Sequence, residues 1–183
     1  IRVDPIGKAL EADRAPLAVV LVLDTSGSMQ GDPIAHVLRS CEIVAELLDA
    51  RDQLAIVTFS DHAAIRSGLT TTDDAGRQRI RAALRDVTAA GSTNMHGGIG
   101  TAAGVLATAP AGLRRAMVVL SDGQPNVGLA SPTDLADYVR GLKVAVSSLG
   151  FGLHHSEAVL EAIATAGSGR YAYIPDPVIA RVE

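Results

Sequence analysis

The stretch Asp24-Thr-Ser-Gly-Ser28 sets three oxygen-bearing side chains, Asp24, Ser26 and Ser28, at i, i+2 and i+4. A turn can aim all three into one pocket, and Gly27 and Gly31 permit the tight backbone that this needs. Two distant segments hold compatible groups: Thr93 in Gly91-Ser-Thr-Asn94, and Asp122 in Ser121-Asp-Gly123. Five oxygen donors with no histidine or cysteine among them suit a hard divalent cation, Mg²⁺, Mn²⁺ or Ca²⁺, and not zinc or copper. The trio alone is also what a polar turn looks like when Ser and Asp cap local backbone groups. Thr93 and Asp122 on the same edge are what favour a site over a turn.

Four apolar runs must position these residues: Leu17 to Leu23, Leu54 to Phe59, Ala116 to Leu120 and Val144 to Phe151. They are rich in β-branched residues and nearly continuous, as expected of parallel strands covered by helices on both faces. Between them the spacing predicts helices. Ile34, Val37, Cys41, Val44 and Leu48 form one apolar stripe, opened by Asp32 as N-cap with Pro33 at N1. Asp73 to Val87 puts Ile80, Leu84 and Val87 on one face and Arg77, Arg81 and Arg85 on another, read as a solvated face. Gly97 to Thr108 is a small-residue helix, Ser131-Pro-Thr-Asp134 opens a helix carrying Leu135, Tyr138, Val139 and Leu142, and Ser156 to Ala166 supplies another that ends at Gly167. Ala63 to Ser67 must turn back antiparallel after Phe59-Ser-Asp-His62, and Arg170 to Ile174 forms a last strand before Pro175 and Pro177, with a short helix to follow. This rhythm implies an α/β, doubly wound, mostly parallel six-stranded sheet flanked by helices. Residues 1–16 read as a lead-in segment and 17–183 as one domain. In such sheets ligands lie beyond the carboxyl ends of the strands, where Asp24 and Asp122 follow theirs.

Composition narrows the functional classes. The 183 residues suffice for one core, and 48% hydrophobic against 20% charged residues rules out disorder. Sixteen Lys and Arg against twenty Asp and Glu, net −4, argue against nucleic acid or anionic lipid as partners. The longest apolar run, Leu17 to Leu23, is far below the ~18 residues that span a bilayer, so no membrane insertion is expected. No signal-peptide pattern opens the chain, which begins at Ile1 and reads as a segment or processed form; its location stays unassigned. Cys41 is the only cysteine, which excludes an intrachain disulfide, and its place on an apolar stripe makes it a core residue. Gly97-Gly-Ile-Gly100 fits neither nucleotide-binding glycine pattern, His96, His154 and His155 read as rim or loop residues, and Asp61 reads as turn chemistry.

Asp24-x-Ser26-x-Ser28, Thr93 in its Gly-x-Thr-Asn setting and Asp122 in Ser-Asp-Gly together resemble the metal-ion-dependent adhesion site of von Willebrand factor type A domains, with all five positions filled. The resemblance covers about residues 17 to 175 and includes Phe59-Ser60 and Leu149-Gly-Phe-Gly152, as in many bacterial members. It implies a Rossmann-like sheet of order 3-2-1-4-5-6 with strand 3 antiparallel. It also implies that Ser26 and Ser28 ligate the cation directly, Thr93 directly or through water, and Asp24 and Asp122 largely through water. One position would then be left for an Asp or Glu of a partner protein. Hydroxyl ligands neutralise little of a +2 charge, so such a centre stays electrophilic toward an incoming carboxylate.

The expected function is therefore a non-catalytic, Mg²⁺-dependent (or Mn²⁺- or Ca²⁺-dependent) protein-binding module. A Mg²⁺ phosphohydrolase of haloacid-dehalogenase type, with Asp24 as nucleophile, would need an acid/base Asp where Ser26 stands and a Lys at the phosphate, and lysine occurs only at Lys8 and Lys143. A serine hydrolase built on Ser26, His154 and Asp122 lacks a Gly-x-Ser-x-Gly elbow. A scaffold domain with a vestigial metal site shares the fold. No affinity switch by a last helix is expected, since residues 176 to 183 are too few and too irregular.

Overall fold

The apolar runs form the middle of one twisted sheet. The computed structural model describes residues 14–122, 124–152 and 155–174. In chain order the elements are β1 (Leu17–Asp24), a 3₁₀ turn (Gly27–Met29), α1 (Asp32–Leu47), β2 (Gln53–Phe59), β3 (Ala63–Thr71), α2 (Asp74–Leu84), α3 (Met95–Ala107), β4 (Arg114–Ser121), α4 (Pro132–Leu142), β5 (Ala145–Phe151), α5 (Glu157–Ala166) and β6 (Ser168–Ile174). The sheet order is β3-β2-β1-β4-β5-β6, parallel throughout except for the antiparallel β2–β3 pair. Both the order and the single antiparallel edge agree with the expectation.

Strand side chains alternate between two cores. Val20 and Val22 of β1 face one side, with Phe59, Ile99, Leu135 and Leu160, beneath α3, α4 and α5. Leu21 and Leu23 face the other, with Ile56, Val37, Cys41 and Ile80, beneath α1 and α2. Residues 18–24 of β1 are all buried because both faces are covered, which explains the unbroken apolar run. Cys41 is fully buried, and burial pushes its thiol far up, so it is inert packing. Among the described residues no helix is long and apolar enough to cross a membrane.

Several details differ from the sequence reading. Asp32 is already helical; Gly31, at φ +83°, occupies the α1 cap position, and Asp32 supplies first-turn negative charge at the helix N-terminus. β3 runs on to Thr71, and a bulge beside β2 absorbs the change in register. Arg77 is not part of a solvated stripe: it donates from Nε to the Ala45 carbonyl and from Nη2 to that of Leu48, each at 3.0 Å, closing the C-terminal end of α1. Arg81 behaves as expected, exposed and paired with Glu46 at 3.0 Å. The Asp73, Asn94 and Ser131 caps accept from Gly76, Gly97 and Asp134 amides.

The amino edge of the sheet is held by Asp52, whose fully buried carboxylate receives Arg14 at 2.8 and 2.5 Å and the amides of Leu17 and Asp49. The end of the lead-in is thus tied to the sheet, and the Pro16 carbonyl also accepts from Arg114 N–H at 2.9 Å. Residues 1–13, Gly123, Leu153, His154 and the expected helix after Pro175 lie outside the described residues.

Candidate functional site

β1 ends on Asp24, and the chain then turns at once into the 3₁₀ segment that carries Ser28. Asp24 is fully buried; its Oδ1 accepts the Ser26 N–H at 2.8 Å, and its Oδ2 accepts the Ser121 hydroxyl of β4 at 2.5 Å. The first bond folds the backbone so that Ser26 follows its own aspartate back toward the same pocket. Ser26 Oγ and Ser28 Oγ lie 3.1 Å apart. Ser26 is 1% exposed, whereas Ser28 is exposed, so the hydroxyl pair runs from the interior to the surface.

Thr25 anchors this turn from below, giving both its N–H (2.8 Å) and its hydroxyl (3.0 Å) to the Phe59 carbonyl at the end of β2. Backbone bonds then stitch the turn to the Thr93 segment: Ala90 N–H to Thr25 C=O at 2.8 Å and Gly27 N–H to Gly91 C=O at 2.9 Å. Gly91 adopts φ +83°, and a Cβ there would stand 2.6 Å from Asp61 Oδ2. Asp61 is therefore more than turn chemistry. Its Oδ1 accepts the Ser92 N–H at 2.9 Å, which holds its carboxyl below the usual range.

Thr93 is 3% and Asp122 7% exposed. Asp122 directly follows the Ser121 that bonds Asp24, and its carbonyl accepts the Ser156 N–H at 2.6 Å. All five predicted residues thus lie at the carboxyl edge: Asp24 ends β1 and leads into the turn that holds Ser26 and Ser28, the Thr93 segment is bonded to that turn, and Asp122 follows the Ser121 of β4 that bonds Asp24. Sequence reasoning passed over Ser121 as a partner of Asp24, Asp61 as a support, and Asn126, which bonds Thr93. The signal for Asn126 was a short polar side chain soon after Asp122 on the same edge.

Burial pushes the Asp24 carboxyl up to about 6, against hydrogen bonds from Ser121 and Ser26 that lower it, and the nearby Asp122 charge adds to the rise. Among the described residues neither Asp24 nor Asp122 has a Lys, Arg or His ion-pair partner. No group of three or more His, Cys, Asp or Glu side chains among the described residues is placed to hold a metal. A cation here would depend on the hydroxyls. Their 3.1 Å separation is close to the ~2.9 Å edge of an octahedron with bonds of about 2.05 Å. Donor chemistry, spacing and uncompensated buried charge all fit a hard divalent ion.

Other features of this edge are local. His96 packs edge-on against Tyr138 with centroids 4.4 Å apart. His155 contacts the Gly152 carbonyl and the Tyr171 hydroxyl and stacks on Tyr173. Ser26 Oγ has Ser28 Oγ as its neighbour, and among the described residues no histidine bonds it; His154 lies outside them. Lys143 caps α4 at the amino edge, away from Asp24, and Lys8 lies outside the described residues.

Comparison with known proteins bears on the whole arrangement. The uncharacterized protein sll0103 of Synechocystis sp. is 31% identical over 185 residues, covering 97% of this chain and 42% of that protein. The uncharacterized protein YfbK of Escherichia coli is 29% identical over 182 residues, covering 95% of this chain and 31% of that protein. The chain thus spans less than half the length of either relative. A solved von Willebrand factor type A structure from Catenulispora acidiphila superposes with a TM-score of 0.81 at 23% identity, over 90% of this chain and 40% of that one, which is a likeness of fold. A family model for the von Willebrand factor type A domain matches residues 18–178, across all six strands, and the chain belongs to that family.

Proposed function

We propose that the domain binds a partner protein through a divalent cation held at its carboxyl edge. Domains of this family are typically protein-interaction or adhesion modules and generally not enzymes. The finer reading assigns the cation, Mg²⁺ in the first place with Mn²⁺ or Ca²⁺ as alternatives, to Asp24, Ser26, Ser28, Thr93 and Asp122. When bound, it would supply an electrophilic centre for an Asp or Glu of the partner.

One observation carries this reading. Among the described residues Asp24 is buried without a cationic side chain beside it, and the same turn carries the Ser26 and Ser28 hydroxyls, separated by 3.1 Å. A buried carboxylate disfavoured to that degree is costly unless positive charge arrives to offset it. Ser121 and the Ser26 amide occupy one direction on each Asp24 oxygen and fix the carboxylate plane. Ser26 and Ser28 would contact the ion directly, and the exposure of Ser28 leaves the approach open to a second protein.

Thermal melts test it. A ligand that binds only the native state raises stability by RT ln(1 + [L]/Kd), about 2.7 kcal/mol at a hundredfold excess over Kd. Mg²⁺ or Mn²⁺ added after EDTA should raise Tm by roughly 5 to 10 °C for a domain of this size, and Asp24→Asn or Ser26→Ala should abolish the shift. No shift at saturating metal favours a scaffold with a vestigial site. Phosphatase or esterase turnover in Mg²⁺, lost in Asp24→Ala, would overturn the binding-module reading.

A further inference from the structure

Thr93 lies in a segment without ladder partners of its own, between the end of α2 and the start of α3. Its position is imposed by side chains and carbonyls from elsewhere, and three consecutive amides are each tied to a different neighbour. Ser92 N–H goes to Asp61 Oδ1 at 2.9 Å, Thr93 N–H to Asn126 Oδ1 at 2.8 Å, and Asn94 N–H to the Ser60 carbonyl at 2.8 Å. The middle tie is reciprocated. Asn126 N–H and Val127 N–H return to the Thr93 carbonyl at 3.1 and 3.4 Å. Both peptide groups that flank the Thr93 side chain are thus fixed by the loop that begins at Asp122, and the exchange is between these two loops only.

We propose that Asn126 is a positioning residue of the metal centre: it locks the Thr93 backbone to the Asp122 loop, so that groups from two separate loops are held together at the cation. The proposal rests on the metal reading given above. Two physical points carry it. A ligand oxygen on Cβ, as in threonine, is placed almost entirely by the backbone beneath it, since only χ1 intervenes. The groups around a metal orient its ligands and are felt in affinity although they never touch the ion. Asn126 has the reach for this, its oxygen lying two bonds beyond Cβ. Aspartate keeps an acceptor at the same reach, leucine keeps the shape without one, and glutamine overshoots by a methylene.

The experiment compares the whole chain with its Asn126→Leu and Asn126→Asp variants. Mn²⁺ affinity is measured by electron paramagnetic resonance, and Thr93 amide hydrogen exchange in EDTA, with melts in EDTA to verify folding. Asn126→Leu should weaken Mn²⁺ binding about 10- to 100-fold and speed Thr93 exchange to a similar degree, while Asn126→Asp protects the Thr93 amide and binds Mn²⁺ within about threefold of wild type or tighter. Should Asn126→Leu fail to fold, Asn126→Gln takes its place with the same expectation. Wild-type Mn²⁺ affinity in the leucine or glutamine variant, or equal loss in the aspartate variant, overturns the proposal. If the wild-type chain binds no Mn²⁺, the metal reading falls and the positioning role with it; exchange at Thr93 still reports, without metal, whether the clamp exists.

Discussion

Asp24 is an aspartate placed where the fold would be more stable without its charge. Its folded-state pKa of about 6 lies above its ordinary 3.8, so its contribution to stability is fully present below 3.8 and is lost as pH rises through about 6. The separation of some two pKa units corresponds to about 3 kcal/mol. In EDTA at about pH 7.5, Asp24→Asn should therefore be more stable than wild type by up to ~3 kcal/mol in urea titrations, the difference vanishing near pH 4. Saturating Mg²⁺ should close the gap by stabilising wild type alone. A gap that ignores pH would show that burial of charge is not its cause. The trio Asp24, Ser26 and Ser28 is legible in sequence because its members are neighbours. Their supports are not legible: Ser121 acts 97 residues away from Asp24, Asp61 31 residues from Ser92, and Asn126 33 residues from Thr93.

At the scale of elements, periodicity tells which face of a helix is apolar but not what an arginine on another face will meet. Arg77 and Arg81 look alike in sequence, one turn apart on α2, yet one closes the last carbonyls of α1 and the other pairs with Glu46 in solvent. Arg77→Ala should cost about 1.5 to 3 kcal/mol, because its charge-assisted bonds to the Ala45 and Leu48 carbonyls are lost, whereas Arg81→Ala should cost under ~1 kcal/mol. Denaturant midpoints of the two variants decide it, and equal values would remove the helix-closing role. The extension of β3 to Thr71 escaped the sequence reading because an edge strand is half solvated and its apolar pattern is thin. The segment joining α2 to α3 gives a second element-scale test. Gly91→Ala must strain a backbone at φ +83° and push a methyl group against Asp61. It should lower stability by roughly 1 to 3 kcal/mol and weaken Mn²⁺ binding, read from urea titrations in EDTA and from Mn²⁺ titration of the same sample. Unchanged metal affinity would uncouple the Gly91–Asp61 contact from the site.

Across the whole molecule the two edges of the sheet treat buried charge in opposite ways. At the carboxyl edge Asp24 has hydroxyl and amide partners but, among the described residues, no cationic side chain; at the amino edge Asp52, also fully buried from solvent, has a guanidinium and two amides. Burial acts to raise the Asp52 pKa, but Arg14 and the amides of Leu17 and Asp49 outweigh it and hold the carboxyl below the usual range. Asp52 therefore adds stability above the unfolded carboxylate range and loses it as pH falls through its lowered value, the reverse of Asp24. Arg14→Ala would leave a buried carboxylate with only amide partners. Since Arg14 is about one-third exposed, the loss should be near the lower end for a broken buried pair, about 3 kcal/mol, or roughly 6 to 12 °C in Tm. A β-strand separates the two sites, so their effects should add. Arg14→Ala should thus melt earlier in EDTA yet gain the same increment on adding Mg²⁺ as wild type, whereas Asp24→Asn should gain none. A smaller Mg²⁺ increment in Arg14→Ala would mean that the segment entering at Arg14 communicates with the carboxyl edge through β1 and takes part in cation binding.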